Sequence, residues 1–211
     1  QMVYILIHGL GQDETSWNQV ESLLLQKKMK VKKVSLYQLL QNQDFTYENL
    51  FESFVQYCLQ FQEKVSLCGL SLGGILAMDF AKAYPQHIQS LIIIGTPYKI
   101  PRLLFGIQNL MFHLMPQSTF EKMGSKKKDF ISLVQSMTHM NISKDLELIQ
   151  CPTLLLCGEK DTHNKKGCQL LNEHIHGSCF EIIEHASHEV NIDNPQLLAQ
   201  KISSFYTKQK A

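Results

Sequence analysis

A serine framed by glycines, Gly69-Leu70-Ser71-Leu72-Gly73, is the stretch of this 211-residue chain best suited to chemistry. The pattern is G-x-S-x-G, and Gly74 follows it directly. A strand-like stretch, Lys64 to Cys68, precedes it, and a helix-like stretch, Ile75 to Tyr84, follows. A serine on so sharp a turn holds its hydroxyl clear of the backbone, and the glycines let strand and helix approach closely. With eleven glycines and sixteen serines in the chain, roughly 0.04 such patterns are expected by chance. A small-residue turn where a helix packs on a strand would satisfy the spacing too. The order of strand before and helix after favours a nucleophile.

A serine hydroxyl needs a base to take its proton, a carboxylate to orient that base, and donors for the oxyanion formed on attack. His188, in Glu184-His185-Ala186-Ser187-His188 after the last strand-like run, is the best-placed base, with His185 as its competitor. Asp161, in Gly158-Glu159-Lys160-Asp161 after Leu154 to Cys157, is the best-placed acid. Glu159 competes with it, and a loop aspartate is also an ordinary turn or capping residue. The donors fall in His8-Gly9-Leu10-Gly11, where the Leu10 amide and that of Leu72, after the nucleophile, can point at one spot. Leu72 also opens a helix, whose N-terminus favours an anion. His8 supports that loop rather than reacting. A phosphate nest would need G-x-x-x-x-G-K-[ST] or G-x-G-x-x-G, and neither occurs. His185 with His188, and His174 with His176, raise the question of metal, but no cysteine or carboxylate completes a set at zinc spacing. No cofactor and no metal are expected.

These residues need elements to hold them. Short apolar runs alternate with helical patterns: strands at Val3 to Ile7, Val31 to Leu36, Val65 to Cys68, Leu91 to Ile94, Thr153 to Cys157 and Phe180 to Ile183. Between them lie a helix capped by Thr15 or Ser16, and helices over Tyr47 to Phe61, Ile75 to Tyr84, Asn164 to His176 and Pro195 to Tyr206. This alternation predicts an α/β fold with a mostly parallel sheet of about six strands and helices on both faces. From Tyr98 to about Ser143 only helical patterns appear, over Pro101 to Met115 and Asp129 to Met140. Residues 98–143 thus read as a helical cap inserted at the sheet's carboxyl edge, and 1–97 with 144–211 as the core. Five of the eight methionines fall in the insertion. They suit either an adaptable pocket wall or the contact between cap and core. Trp17, Tyr98, Met111 and Met115 are candidate substrate contacts.

Composition excludes several classes. A formal charge of +1 gives no electrostatic footprint for nucleic acid. No apolar run approaches a membrane span, and Val3 to Ile7 lacks the basic flank and cleavage site of a signal peptide. Six cysteines without a C-x-x-C pair read as reduced, packed thiols, which favours the cytoplasm.

Taken together, His8-Gly-x-Gly, the Gly69 to Gly74 elbow, Gly158-Glu-Lys-Asp161 and Ser187-His188 before Asn194-Pro195 resemble the α/β-hydrolase superfamily, in that family's order and over nearly the whole chain. The resemblance implies a Ser71 nucleophile, an Asp161 orienting acid, a His188 base, Leu10 and Leu72 oxyanion amides, and a cap over the pocket. It implies hydrolysis of carboxylic esters or thioesters of partly apolar small molecules. The superfamily also hosts carbon–carbon hydrolases, lyases and idle-triad binding proteins. Two departures stand out. The His-Gly strand comes first here, without the two strands that precede it in the family, which reads as a minimal core. Ala-Ser precedes His188 where many members carry glycine.

Overall fold

The computed structural model describes residues 2–100, 116–122 and 126–209. Among them six strands form one sheet: β1 (Val3–Ile7), β2 (Lys32–Val34), β3 (Val65–Leu70), β4 (Ile88–Ile94), β5 (Thr153–Gly158) and β6 (Cys179–Ile183). Their order is β2-β1-β3-β4-β5-β6, and every neighbouring pair is parallel. The chain steps from β1 outward to β2, then crosses back to place β3 on β1's other side. This reversal leaves a crevice at the carboxyl ends of β1 and β3, where open α/β sheets bind ligands.

The strands read as continuous apolar runs because both faces are covered. Alternate residues supply the two faces. Ile5, Leu67, Leu91, Ile93 and Leu155 point into one core cluster, and Leu6, Leu70, Ile92, Ile94 and Leu156 into the other. The first cluster is roofed by α3 (Tyr47–Leu59) and α4 (Leu72–Ala83), through Phe54 and Phe80. The second is covered by α1 (Asn18–Gln26) and the final helix, Pro195–Lys208, through Val20, Leu24, Ile202 and Tyr206. Burying each such side chain is worth about 1.5–3 kcal/mol, so the sheet is the main source of cohesion.

Boundaries differ from the sequence reading where side chains take over from propensity. The first turn of helix, a 3-10 turn at Glu14–Trp17, is capped by Asp13, whose carboxylate accepts the Thr15 amide at 2.8 Å, not by Thr15 or Ser16. The β2 strand stops at Val34. The Leu36 amide leaves the ladder to donate to His8 Nε2 at 3.1 Å, and a short helix, α2 (Leu36–Leu39), begins there. Between β4 and β5 the described residues hold α5 (Gln117–Lys122) and α6 (Lys127–Ser136), and no strand. Phe120, Phe130, Leu133 and Val134 from these helices are buried in the first core cluster. The expected helix over Pro101 to Met115 lies outside the described residues. After β5 come α7 (Thr162–His174), β6, and α8 (Val190–Asp193), a short helix not apparent in the sequence. The last is α9 (Pro195–Lys208), with proline in its first turn and Asn194 as its cap.

All six cysteines are free. Burial pushes the Cys58 and Cys68 thiols far up, as expected of small apolar fillers. No helix among the described residues is long and apolar enough to cross a membrane.

Candidate active site

Ser71 joins β3 to α4 with φ 55 and ψ −110, a conformation that L residues rarely hold. Its backbone is pinned from several sides. The Ser71 amide donates to the Ile94 carbonyl at 2.8 Å, and its own carbonyl accepts from the Gly74 amide at 3.0 Å and from Thr96 Oγ1 at 3.0 Å. The glycines permit this closeness. A Cβ on Gly69 would lie 2.2 Å from the Gly73 backbone, and one on Gly73 would lie 2.4 Å from the Ile7 carbonyl oxygen. Helix α4 therefore starts hard against the end of β1, which sets the Leu72 amide beside the loop that follows β1.

That loop is held by its own residues. Buried His8 donates from Nδ1 to the Gly9 carbonyl at 2.9 Å and accepts the Leu36 amide at Nε2. The two bonds fix one neutral tautomer. Burial lowers the pKa of His8, although the Gly9 bond and the charges of Glu14 and Asp13 oppose the shift. His8 is thus a structural residue. The Gly9 amide donates to Gln12 Oε1 at 3.4 Å, and the Gly11 amide to the Tyr37 hydroxyl at 3.2 Å. Between them, the Leu10 amide meets no acceptor among the described residues. The first amides of a helix are equally free of intrahelical partners, which leaves Leu72 available as well. A Cβ on Gly9 would touch Ser71 Cβ at 3.5 Å, so this loop borders the serine directly.

Asp161 and His188 are hydrogen-bonded: His188 Nδ1 donates to Asp161 Oδ2 at 2.8 Å. The carboxylate is almost wholly buried, whereas the imidazole side chain keeps 42 % of its surface exposed. A proton on Nδ1 leaves Nε2 as the acceptor, and among the described residues that nitrogen has no partner. Burial pushes the Asp161 pKa up. The bond and charge of His188 and the bonds from Asn164 outweigh it and hold the carboxyl below its ordinary value. Asp161 is at once the cap of α7 and the partner of His188. Its Oδ1 accepts the Asn164 amide at 3.3 Å, and the Asn164 side chain donates to both carboxylate oxygens at 3.1 Å. The competitors do other work: Glu159 accepts the His185 amide at 2.9 Å, and His185 turns the chain at φ 58.

Gly95 brings the two halves together. It follows Ile94, which bonds Ser71, and a Cβ there would lie 3.2 Å from His188 Nδ1 and 3.3 Å from Asp161 Oδ2. Ser71 and the His188–Asp161 pair thus flank the same two-residue backbone segment. A serine hydroxyl on one side of this segment, an Asp-bonded imidazole on the other and two unbonded amides by the serine are groups of the kind that proton abstraction and oxyanion binding require.

The expected substrate contacts fare differently. Trp17 is a correction. It is fully buried in the second core cluster, among side chains of both flanking helices and the sheet, so it presents no surface to a substrate. Tyr98 is partly buried and packs its ring on His174, with centroids 5.3 Å apart. Met111 and Met115 lie outside the described residues. A cleft of about 660 Å³ opens beside the loop after β1, between Tyr37 and Phe45 on one side and Lys122 and Lys126 on the other. Ser71, Asp161 and His188 are not among its described walls. No three of His, Cys, Asp and Glu cluster to hold a metal ion among the described residues. Asn164, which bonds Asp161, and Gln12, which bonds the Gly9 amide, were not evident in the sequence. Asn164 alone left a trace, three residues past a potential cap.

A parallel six-stranded sheet with a strained serine after β3 and an Asp–His pair after β5 and β6 defines the α/β-hydrolase fold. Within it the chain belongs to the PGAP1-like alpha/beta domain family, whose model matches residues 6–197. Among curated proteins it is similar to a Bacillus subtilis protein provisionally named 2-succinyl-6-hydroxy-2,4-cyclohexadiene-1-carboxylate synthase. The two are 28% identical over 68% of this chain and 66% of that protein. It is also similar to the serine hydrolase BPHL of Mus musculus, 29% identical over 64% of this chain and 51% of that one. The matched stretch thus spans half to just under two thirds of these relatives' length. Among solved structures, a thermophilic esterase from Thermogutta terrifontis superposes with a TM-score of 0.77 at 21% identity, covering 100% of this chain and 91% of that one.

Proposed function

We propose that the chain is a serine hydrolase that cleaves carboxylic esters or thioesters through an acyl-enzyme on Ser71. His188 takes the serine proton as Oγ attacks the acyl carbon, and Asp161 holds the imidazole in the Nδ1–H tautomer and stabilises its protonated form. The Leu10 and Leu72 amides receive the oxyanion. His188 then protonates the leaving alcohol or thiol, and water repeats the sequence to release the acid. The observation that carries this reading is the placement of Ser71 and the bonded His188–Asp161 pair on either side of Ile94-Gly95. Residues 98–143 act as a cap whose apolar side chains favour a partly apolar acyl or alcohol group. The free thiols suit a reducing compartment.

Ser71→Ala tests the reading. On a short-chain chromogenic ester, turnover should fall by several orders of magnitude, and stoichiometric labelling by a fluorophosphonate should vanish. Unchanged hydrolysis would end it. Carbon–carbon cleavage or a lyase step on the same three side chains is the second reading, since the fold hosts many chemistries and the Bacillus subtilis relative is named a synthase rather than a hydrolase. A chain that is labelled at Ser71 yet inert toward a graded ester and thioester panel would decide for it.

A further inference from the structure

We propose that Gln12 and Asn191 form a positioning pair that locks the loop carrying the Leu10 amide to the loop carrying His188. Oxyanion donor and base are then held as one unit. The inference rests on the hydrolase reading above and adds residues that the triad does not include.

The two side chains come from opposite ends of the chain and exchange hydrogen bonds. Gln12 Nε2 donates to Asn191 Oδ1 at 3.1 Å, and Asn191 Nδ2 donates back to Gln12 Oε1 at 3.3 Å. Both are buried, Asn191 completely and Gln12 at 7% exposure. The second Gln12 Nε2 hydrogen reaches Glu189 Oε1 at 3.1 Å, on the residue directly after the base. The second Asn191 Nδ2 hydrogen reaches Ser16 Oγ at 3.2 Å, at the start of the covering helices. Every polar atom of the two amides is therefore engaged.

On the donor side, Gln12 closes the turn around Leu10 twice. Its amide donates to the Gly9 carbonyl at 3.2 Å, and its side-chain oxygen accepts the Gly9 amide at 3.4 Å. Moving Gln12 therefore moves the Leu10 peptide. On the base side, Asn191 lies in α8, three residues past His188, and Glu189 adjoins it. A reciprocal amide pair fixes both distance and direction, whereas apolar side chains of the same bulk would fix only the approach of the loops. Oxyanion donors work within a few tenths of an ångström, and a 1 Å error can cost about a hundredfold in rate. That precision gives the pair its use.

The test is a cycle of isosteres on the whole chain, assayed with a chromogenic ester at temperatures where circular dichroism shows each variant folded. Gln12→Asn and Asn191→Gln each change the reach of one amide by a methylene, and the combined variant restores the summed length. Gln12→Ala and Asn191→Ala remove one partner each. Each single variant should lower kcat by roughly 10- to 100-fold with KM within about twofold. The double alanine should cost little more than either alone. The combined isostere swap should recover most of the lost kcat. Single variants within about twofold of wild-type kcat overturn the proposal, as do effects that multiply in the double alanine or a swap that recovers nothing. A wild type without Ser71-dependent turnover is a different result. It sinks the hydrolase reading and this proposal with it.

Discussion

At the residue scale, neutrality and direction matter more than charge. His8 illustrates this. It looks like a reactive group, but both ring nitrogens are committed to backbone atoms, and burial disfavours its protonated form. Its pKa is lower folded than unfolded. The folded chain therefore binds fewer protons, and stability is lost as the pH falls through the ordinary value of 6.5 toward the folded one. Urea midpoints measured from about pH 7.5 to about pH 5 should fall more steeply for wild type than for His8→Gln, although the variant is less stable at the upper end. Parallel curves for the two proteins would contradict the assignment. Asp161 is shifted in the same direction by a different cause, since burial alone would raise it and the bond and charge of His188 with the bonds from Asn164 hold it below its ordinary value. Its contribution is present above the ordinary value of 3.8 and fades as the pH drops through the folded one.

At the element scale, the serine turn depends on a near-contact of three backbones. Strand β3, helix α4 and the end of β1 meet at Gly69 and Gly73, where an added Cβ would fall well inside van der Waals distance of backbone atoms. Backbone cannot rotate aside as a side chain can. Gly73→Ala should therefore destabilise the fold by at least about 2 kcal/mol, and should remove fluorophosphonate labelling of Ser71 even in the fraction that folds. Thermal melting together with labelling checks both. The case of Gly95 is different. Its φ of +54 already disfavours alanine, and the new methyl would press on His188 and Asp161. Gly95→Ala should lose more activity than stability, read as kcat against melting temperature.

At the scale of the whole molecule, one sheet shares its two faces with two core clusters, so disturbance of one face should be felt on the other. The single tryptophan makes this measurable. Trp17 is buried on the face covered by α1 and α9, whereas Phe54 and Phe80 are buried on the opposite face. Phe54→Ala should cost about 3–5 kcal/mol. The urea midpoint seen by Trp17 fluorescence should shift together with that seen by far-ultraviolet circular dichroism. A fluorescence midpoint that stays in place would show that the faces unfold independently.

The order of strands and helices, the serine turn, and the loop positions of Asp161 and His188 just past two strand ends were legible in the sequence. Each depends on local spacing: apolar runs of strand length, glycines that a tight turn requires, and loop residues just past a strand end. Trp17 was misassigned because an aromatic residue near a motif carries no record of which way it faces. Only packing buries it against Val20, Leu24 and the sheet. The cap residues of the first helix and the end of β2 were misplaced because side-chain bonds from Asp13 and His8 decided them. Asn164, Gln12 and Asn191 were not legible because an amide becomes a positioning group only when a partner stands within bonding distance, and for Gln12 that partner is 179 residues away. Local chemistry can be written in adjacent residues. The approach of distant loops is decided by the folded sheet, since only its parallel strands deliver their carboxyl ends to one edge.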